Sequence, residues 1–278
     1  MVESIDSSTL INIYEDKYNF KVYAGPGAGK TYFLVQNIKD IVEHSKKLKK
    51  SNIRKILCIT YTNAAVDEIK QRLGEYNKYC VVSTIHSFLY QYVIHPYQKQ
   101  LKIIINKTFN TDIDDSIDFY PRAEGFGLLS KVKVSDFIGV LIEKYKIFVA
   151  NELTKRKISE CVLDITSINH YPFKEGTEPF LKRIKGVTDE ELLKIKTALW
   201  QEEGVLDFDE ILYFSYILLK NFNFISYDIT YLFPYILMDE YQDTNPIQNK
   251  MLHLLCNKNM TIGVVGDAAQ SIYGFIRS

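Results

Sequence analysis

The sequence lacks several features that would point to common classes of protein. Its four cysteines include no C-x-x-C pair, so the spacing predicts neither a zinc site nor an iron–sulfur cluster. No apolar run approaches membrane-spanning length, and the first residues lack the basic-then-apolar order of a secretory signal. Basic and acidic residues balance at 34 each, so the whole chain generates no strong field toward nucleic acid. We therefore expect a cytoplasmic protein with no membrane partner and with only local nucleic-acid contacts.

What the chain has is enough apolar material for a large core. Its 278 residues are 46% hydrophobic, which suits one large domain or two smaller ones. The densest basic run is HSKKLKKSNIRK, residues 44–55, which falls between a predicted helix and the next predicted strand. A solvated linker explains such a run better than a binding patch does, so the sequence assigns it no function.

The stretch VYAGPGAGKT, residues 22–31, carries the clearest chemical signal. Ala-x-x-x-x-Gly-Lys-Thr is the pattern of a phosphate-binding loop with alanine where glycine is commoner. Glycines allow successive N–H groups to turn toward one anion, Lys30 supplies a point charge for the outer phosphates, and Thr31 offers a hydroxyl to Mg²⁺. The predicted nucleotide-binding residues of this loop are Ala24, Gly25, Pro26, Gly27, Ala28, Gly29, Lys30 and Thr31.

The flanks of the loop decide between this interpretation and a glycine-rich turn with a purely steric role. NFKVYA (19–24) reads as a buried strand, and TYFLVQNIKDIVEH (31–44) has apolar residues at helical spacing. This is the strand–loop–helix order that a phosphate site requires, and the helix adds its positive dipole end. We therefore predict that the loop binds a triphosphate.

The order of apolar runs predicts an α/β fold. Further strands are expected at KILCIT (55–60), CVVSTI (80–85), YILMDE (235–240) and TIGVVGD (261–267), with a helix at NAAVDEIKQRL (63–73). Such alternation implies a parallel sheet with helices on both faces and ligands at the carboxyl ends of the strands. Between about residues 86 and 230 strand signals thin out, and VSDFIGVLIEKYKIFVANELTKRK (134–157) and DEELLKIKTALWQEE (189–203) have helical periodicity. This predicts a mainly helical insertion.

Two acidic residues directly follow a predicted strand in ILMDEYQDTNPIQ, residues 236–248. Asp239 can hold a magnesium ion through its water shell, while Glu240 points to the other side and can take a proton from an attacking water. Acidic residues after strands also serve as helix caps, and Asp243 or Asn245 is expected to cap a helix ahead of Pro246. Together with the phosphate loop, the pair favours hydrolysis.

A third polar segment is VVGDAAQSIYGF, residues 264–275. Its Gln270 offers a neutral amide that can donate to a phosphate oxygen and accept from water. Alone this is a weak signal, and it gains weight only beside the other two motifs.

Six strings occur in a familiar order: AGPGAGKT, CITYTNAAVDEIKQRL, STIHSF, DFDEIL, ILMDEYQDTNPIQ and VVGDAAQSIYGF. In this order the sequence resembles superfamily 1 DNA helicases of the UvrD/Rep/PcrA family. The resemblance implies a RecA-like P-loop domain, 1A, formed by residues 1–90 and 225–278. It implies a helical insertion domain, 1B, formed by residues 91–224.

The resemblance also implies roles and cofactors. ATP and Mg²⁺ would be bound with Lys30 on the phosphates and with Thr31 and Asp239 on the metal. Glu240 would be the catalytic base and Gln270 the sensor of the γ-phosphate. The implied contacts with single-stranded DNA are Thr60, Tyr61, Thr62, Asn63, His86, Tyr273 and Phe275. An aromatic residue at a strand end is more often part of the core, but the resemblance favours base stacking, which needs no sequence choice.

Three departures from the family pattern stand out. No glutamine precedes Gln36, whereas the family has a glutamine motif upstream of the phosphate loop to read adenine. The motif ending GFIRS has Ile276 where arginine is expected and Arg277 one place later. The sequence ends at Ser278, whereas family members continue through a second RecA-like domain that carries arginines for the ATP site. We therefore expect a fragment or truncated relative whose missing second domain is a partner.

These observations support three hypotheses about function. The leading one is the ATP-binding motor half of an ATP-dependent DNA helicase or translocase that moves on single-stranded DNA. The alternative is a nucleotide-gated module that binds DNA or protein with little turnover, although a pure binder has no need for Glu240. A P-loop kinase-like transferase is weakened because no second-substrate pocket is evident. On the leading hypothesis the isolated chain holds ATP and Mg²⁺ but hydrolyses slowly, because an arginine finger contributes about 10³ to 10⁵ in rate.

Overall fold

Five parallel strands form the central sheet in the order β1-β7-β6-β2-β3. The structure is a computed structural model that describes residues 5–12, 19–121, 189–206, 208–256 and 260–267. The strands are β1 (Phe20–Tyr23), β2 (Ile56–Thr60), β3 (Cys80–Thr84), β4 (Tyr120–Pro121), β5 (Val205–Leu206), β6 (Tyr235–Met238) and β7 (Thr261–Gly266). The helices are α1 (Lys30–His44), α2 (Lys46–Lys49), α3 (Asn63–Leu73), α4 (Ile85–Leu89), α5 (Gln98–Phe109), α6 (Asp189–Glu203), α7 (Phe208–Asn221), α8 (Asn223–Leu232) and α9 (Pro246–Leu255).

Strands β2, β6 and β7 form the buried centre of the sheet. All residues of these three strands are buried, the pattern expected of parallel strands covered on both faces. The register places Tyr235 beside both Ile56 and Thr261. Helix α1 contributes Ile38 and Ile41, both fully buried, to the core against β2 and β6. The prediction of a parallel α/β sheet flanked by helices is confirmed.

The predicted strands match the observed ones to within one or two residues at each end. The largest difference is at YILMDE, where β6 stops at Met238. The chain leaves the strand there because Glu240 has a left-handed backbone, with φ 50° and ψ 42°. The two carboxylates predicted at the strand end therefore lie in the turn that follows it.

The chain divides into two units, which are described separately. The first consists of Met1–Phe88 and Phe222–Ser278 and contains the five-stranded sheet. The second is Leu89–Asn221, and its described part contains α5, α6, α7 and the parallel two-residue pair β4 and β5. Correspondence between these units and domains 1A (1–90 and 225–278) and 1B (91–224) stays a prediction.

The second unit has an aromatic core of its own. The ring of Trp200 is fully buried, with its centroid 4.8 Å from that of Phe109 and 5.6 Å from that of Phe214. Helix α6 coincides with the predicted helical segment 189–203. The other segment predicted to be helical, 134–157, lies outside the described residues.

Within the described ranges, none of the helices is long and apolar enough to cross a membrane. Cys58 and Cys80 are buried free thiols, Cys256 is a free thiol of intermediate exposure, and burial raises the pKa of Cys80 to about 12.

Candidate functional site

The phosphate loop turns through two left-handed glycines before α1 begins. Gly27 has φ 73°, and Gly29, the N-cap of α1, has φ 80°. A Cβ at Gly27 would meet nothing within 4 Å, so glycine is needed there for its backbone angles rather than for space. Within the described residues no side chain caps α1. The first N–H groups of this helix are therefore available to an anion.

Neighbouring strands hold the loop at the carboxyl edge of the sheet. The backbone N–H of Ala24 donates to the carbonyl of Gly266 at 3.0 Å, which connects the start of the loop to the end of β7. On the next pair of strands, Asp239 N–H donates to the carbonyl of Ile59 at 2.9 Å. Parallel strands thus bring the loop and the acidic motif to one edge, as the sequence pattern predicts.

Lys30, Thr31, Asp239 and Glu240 come together at this edge. Lys30 Nζ lies 3.4 Å from Glu240 Oε2, and the Thr31 hydroxyl is near enough to the Asp239 carboxyl to lower its pKa slightly. Burial, and then the charge of Glu240, raise the pKa of Asp239 to about 6, against the smaller lowering effects of the Glu240 N–H, Lys30 and Thr31. Because two carboxylates are adjacent and one of them is buried, a bound cation would stabilise their charged forms.

The donor set at this edge fits Mg²⁺ better than a transition metal. Magnesium keeps several of its waters and needs only one or two protein oxygen ligands besides phosphate. Thr31 and Asp239 offer one hydroxyl and one carboxylate as neighbouring oxygen ligands. The described residues contain no cluster of three or more His, Cys, Asp or Glu side chains that could form a dedicated metal cage.

Glu240 is held in an unusual conformation by a residue that sequence reasoning missed. Gln242 donates from Nε2 to Glu240 Oε2 at 2.6 Å and accepts the Asp267 N–H on its Oε1 at 2.9 Å. Gln242 is buried, and the positive φ of Glu240 is a strained backbone state for a residue with a side chain. Gln242 lies inside the DEYQD string, so the sequence motif could have identified it as a residue of the site.

Gly266 makes room for this arrangement at the end of β7. A Cβ at Gly266 would lie 2.8 Å from Gln242 Oε1, closer than real Cβ contacts, and 3.1 Å from Gln242 N, tighter than most of them. Glycine is therefore required here by the close approach of Gln242. The side-chain amide of Gln242 thus connects Glu240, the predicted base, to Asp267, which directly follows β7. Gln270 comes three residues later in the sequence.

The predicted DNA segment after β2 is only partly accessible. The Thr60 side chain is buried, while Thr62 and Asn63 are exposed. Thr62 caps α3 by accepting the Ala65 N–H at 3.1 Å. The Tyr61 hydroxyl donates to Gln248 Oε1 at 3.1 Å, so its half-buried ring has a fixed position.

Gln248 also connects this segment to the capping prediction. Asn245 and Gln248 form a reciprocal capping box at the start of α9, so of the two predicted caps Asn245 serves and Asp243 does not. The same Gln248 oxygen accepts from Tyr61 and from the Asn245 N–H. The predicted DNA segment is thereby coupled to the helix that follows the acidic motif.

The remaining predicted DNA residues fall into two groups. His86 is half-buried at the start of α4, and burial lowers its pKa to about 4, so its imidazole is neutral at pH 7. A neutral ring can stack or accept a hydrogen bond but supplies no charge to a phosphate. Gln270, Tyr273 and Phe275 lie outside the described residues, as do Ile276 and Arg277.

The residues upstream of the loop, where the family's glutamine motif is absent, pack on α1. The Asn37 side chain accepts the Ile11 N–H at 2.9 Å and donates to the Thr9 carbonyl at 3.1 Å. Ser7 lies so close to Gly29 that a Cβ on that glycine would be 2.8 Å from Ser7 Cβ. This short hydroxyl-rich segment therefore borders the phosphate loop, which the sequence did not predict.

Comparison with known proteins agrees with this geometry. A Gabija protein GajB from Bacillus cereus is 27% identical over 280 residues, covering 90% of this chain and 40% of that protein. A probable DNA helicase II homolog from Mycoplasma pneumoniae is 30% identical over 263 residues, covering 91% of this chain and 33% of that protein. The ATP-dependent DNA helicase srs2 from Schizosaccharomyces pombe is 31% identical over 264 residues, covering 92% and 28%.

The chain thus spans well under half the length of these three relatives. Residues 8–278 match the family described as the UvrD/REP helicase N-terminal domain. Because this match covers nearly the whole sequence, the chain belongs to the UvrD/REP helicase N-terminal domain family.

Proposed function

We propose that this chain is the ATP-binding motor half of an ATP-dependent DNA helicase or translocase. Its cofactors would be ATP and Mg²⁺, and its partners single-stranded DNA and a second RecA-like domain of the same parent protein. The observation that carries the proposal is the convergence at one sheet edge of the uncapped start of α1, the Thr31–Asp239 contact and Glu240. The relatives named as DNA helicases support the same conclusion.

The residues of the site divide the work of hydrolysis. Lys30 exchanges its contact with Glu240 for the outer phosphates, because phosphate oxygens carry more charge than one carboxylate. Glu240, released from the lysine but still held by Gln242, is then free to accept a proton from an attacking water. Thr31 and Asp239 would hold Mg²⁺, which neutralises negative charge on the phosphates when it is bound.

An assay with a variant at the proposed base tests this function. We expect the chain to hydrolyse ATP slowly and only with Mg²⁺, and we expect Glu240→Gln to lower the rate by about 10²- to 10⁴-fold. Calorimetry should give the variant an ATP affinity close to that of the unmodified chain, since Glu240 is not proposed to grip the nucleotide. Equal hydrolysis rates in the two proteins would show that Glu240 is not the base.

A nucleotide-gated binding module is the second candidate, and the Lys30–Glu240 contact favours it. Nucleotide must break this contact to reach Lys30, so binding alone can change the loop after β6. The two candidates differ in turnover. If single-stranded DNA binding responds to a non-hydrolysable ATP analogue while neither protein hydrolyses ATP, the binding module is the correct description. If single-stranded DNA raises an ATPase rate that depends on Glu240, the motor is correct.

A further inference from the structure

Helix α8 presents an aromatic stripe to solvent. Phe224, Tyr227 and Tyr231 are 45%, 67% and 51% exposed, and their i, i+3, i+7 spacing puts them on one face. The other face contains Ile225 and Ile229, which are fully buried. Three large exposed rings on one face of a helix are a feature that soluble proteins often use for binding a partner.

The basic run that the sequence left without a function borders this stripe. The Arg54 guanidinium lies 4.7 Å from the centroid of the Tyr231 ring and donates to the Lys47 carbonyl at 3.0 Å. The Lys55 N–H donates to the Leu232 carbonyl at 2.9 Å. The segment 46–55 is therefore fixed beside the end of α8. We call α8 and this segment together the α8 surface.

The charge of the α8 surface is strongly positive, although the whole chain is neutral. Its cations are Lys46, Lys47, Lys49, Lys50, Arg54 and Lys55, and its exposed or flanking acidic residues are Glu43 and Asp228. Of the cations, Lys46, Lys49 and Lys50 are exposed. A local excess of positive charge beside aromatic rings is complementary to a polyanion with flat bases.

This surface lies at the amino ends of the sheet strands, whereas the nucleotide site lies at their carboxyl ends. Lys55 directly precedes β2, and Leu232 precedes β6 by three residues. At the carboxyl ends of these strands lie Thr60, about 16 Å beyond Lys55 along β2, and Asp239, which directly follows β6. The α8 surface is therefore distinct from the predicted DNA segment at Thr60–Asn63.

We propose that the α8 surface is a second binding site for single-stranded nucleic acid. Tyr227, Tyr231 and Phe224 offer ring faces to successive bases, and the lysines and Arg54 contact the backbone phosphates. The stripe is about 10 Å long from Phe224 to Tyr231, which matches about three stacked nucleotides. The proposal goes beyond the motor function, because it adds a contact that does not depend on the nucleotide site.

Anisotropy of a short fluorescent oligo-dT tests the proposal with the whole 278-residue chain. We expect the double variant Tyr227→Ala, Tyr231→Ala to weaken binding at least about tenfold, since each ring supports a stacked base. The matched control is Tyr79→Ala, because Tyr79 is also 41% exposed and has Lys78 Nζ 5.1 Å from its ring centroid. The control should leave affinity unchanged, and thermal melting should show that all three proteins fold alike.

A charge variant gives a second, independent readout. Replacing Lys46 and Lys50 by glutamine should lower the slope of log affinity against log salt by about 1.4, if each lysine contacts one phosphate of a single strand. A photoreactive oligonucleotide should form crosslinks to α8 that mass spectrometry can locate. These crosslinks should persist in a Tyr61→Ala chain, which alters the predicted DNA segment after β2 and its contact with Gln248 but not the α8 surface.

Several outcomes would overturn the proposal. One is no binding of the oligonucleotide by the unmodified chain at low salt, and another is equal affinity in the α8 double variant. Loss of binding in Tyr61→Ala alone would leave the motor function standing and remove the second site. Tyrosine-dependent binding of poly-glutamate in preference to oligo-dT would assign the surface to an acidic protein segment. A dimer in light scattering that the double variant dissociates would assign it to a second copy.

Discussion

Two lysine–glutamate pairs, one in each unit, show how differently one chemical contact can be used. In the second unit, Lys196 Nζ lies 2.6 Å from Glu210 Oε1, and both side chains are completely buried. In the first unit, Lys30 Nζ lies 3.4 Å from Glu240 Oε2, with the glutamate side chain 38% exposed. A buried pair has no water to replace its partner, whereas a partly exposed pair can exchange partners. The Lys196–Glu210 pair therefore suits a structural role, and the Lys30–Glu240 pair suits a functional site.

The surroundings of the pairs strengthen this contrast. Lys196 lies 5.8 Å from the ring centroid of Trp200, and its pairing with Glu210 connects α6 to α7. The Glu240 oxygen that faces Lys30 also accepts from Gln242, so the glutamate keeps a donor when the lysine leaves. Loss of one partner should therefore unfold the second unit but only reorganise the first.

The largest effect is expected from breaking the buried pair. Glu210→Ala should lower the free energy of unfolding by about 3 to 5 kcal/mol, because Lys196 would remain buried without this counter-ion. Trp200 is the only tryptophan of the chain and packs beside the pair, so its fluorescence reports unfolding of this region. Urea titration followed by this fluorescence measures the change.

A double replacement separates charge burial from packing. Lys196→Met combined with Glu210→Leu removes both charges at similar volume and should cost far less than Glu210→Ala alone. If the single and double variants are equally destabilised, the shape of these side chains matters more than their charge. The contrast between the two pairs would then lose its electrostatic basis.

The pair at the nucleotide site should respond in the opposite way. Lys30→Ala should weaken ATP binding by about 1 to 3 kcal/mol, because charge-assisted bonds to phosphate are lost. It should change the free energy of unfolding by at most about 1 kcal/mol, since a partly exposed ion pair contributes little. Calorimetry at matched Mg²⁺ concentration measures the affinity. Equal affinities of variant and unmodified chain would remove Lys30 from the nucleotide site.

Gln242 sharpens the comparison, because it explains why Glu240 stays in position without its lysine. Gln242→Ala removes the acceptor of the Asp267 N–H and should lower the free energy of unfolding by about 1 to 3 kcal/mol. Gln71→Ala is the control, since Gln71 is exposed on α3 and should change stability by less than about 0.5 kcal/mol. Chemical denaturation followed by circular dichroism compares the two. Similar small changes in both variants would mean that Gln242 does not support the turn.

The parts of the molecule that sequence could predict are those with a local cause. The strand before the phosphate loop and helix α3, which has a helical period, were both expected close to their observed bounds. The expectation that this strand is buried is wrong, because β1 lies at the edge of the sheet and leaves Lys21 and Tyr23 exposed. The meeting of Lys30 with Glu240 follows from parallel strands having their carboxyl ends at one edge. Predicting these features requires no information about long-range contacts other than the order of the strands.

Other features depend on contacts that no local pattern encodes. Lys196 lies in the segment 189–203 predicted to be helical, and Glu210 lies in the DFDEIL string. Only the ion pair between α6 and α7 shows both of these charged side chains buried. Conversely, the rings of Tyr227 and Tyr231 are exposed, and no local pattern singled them out. The left-handed backbone of Glu240 could not be predicted either, because a non-glycine residue adopts it only when its surroundings impose it.

A third ion pair completes the comparison and should show the smallest effect. Arg72 Nη2 lies 2.7 Å from Glu68 Oε1 on the surface of α3, with the two side chains 47% and 50% exposed. The short distance between the two charged atoms alone would suggest a strong contact. Water and salt nevertheless screen this exposed pair, and ion pairs at i, i+4 on a helix surface contribute little. A double-mutant cycle with Glu68→Gln and Arg72→Ala should give a coupling of about 0.3 to 0.5 kcal/mol, which added salt should reduce. A coupling as large as that of Lys196 with Glu210 would mean that distance, and not burial, sets the strength of these pairs.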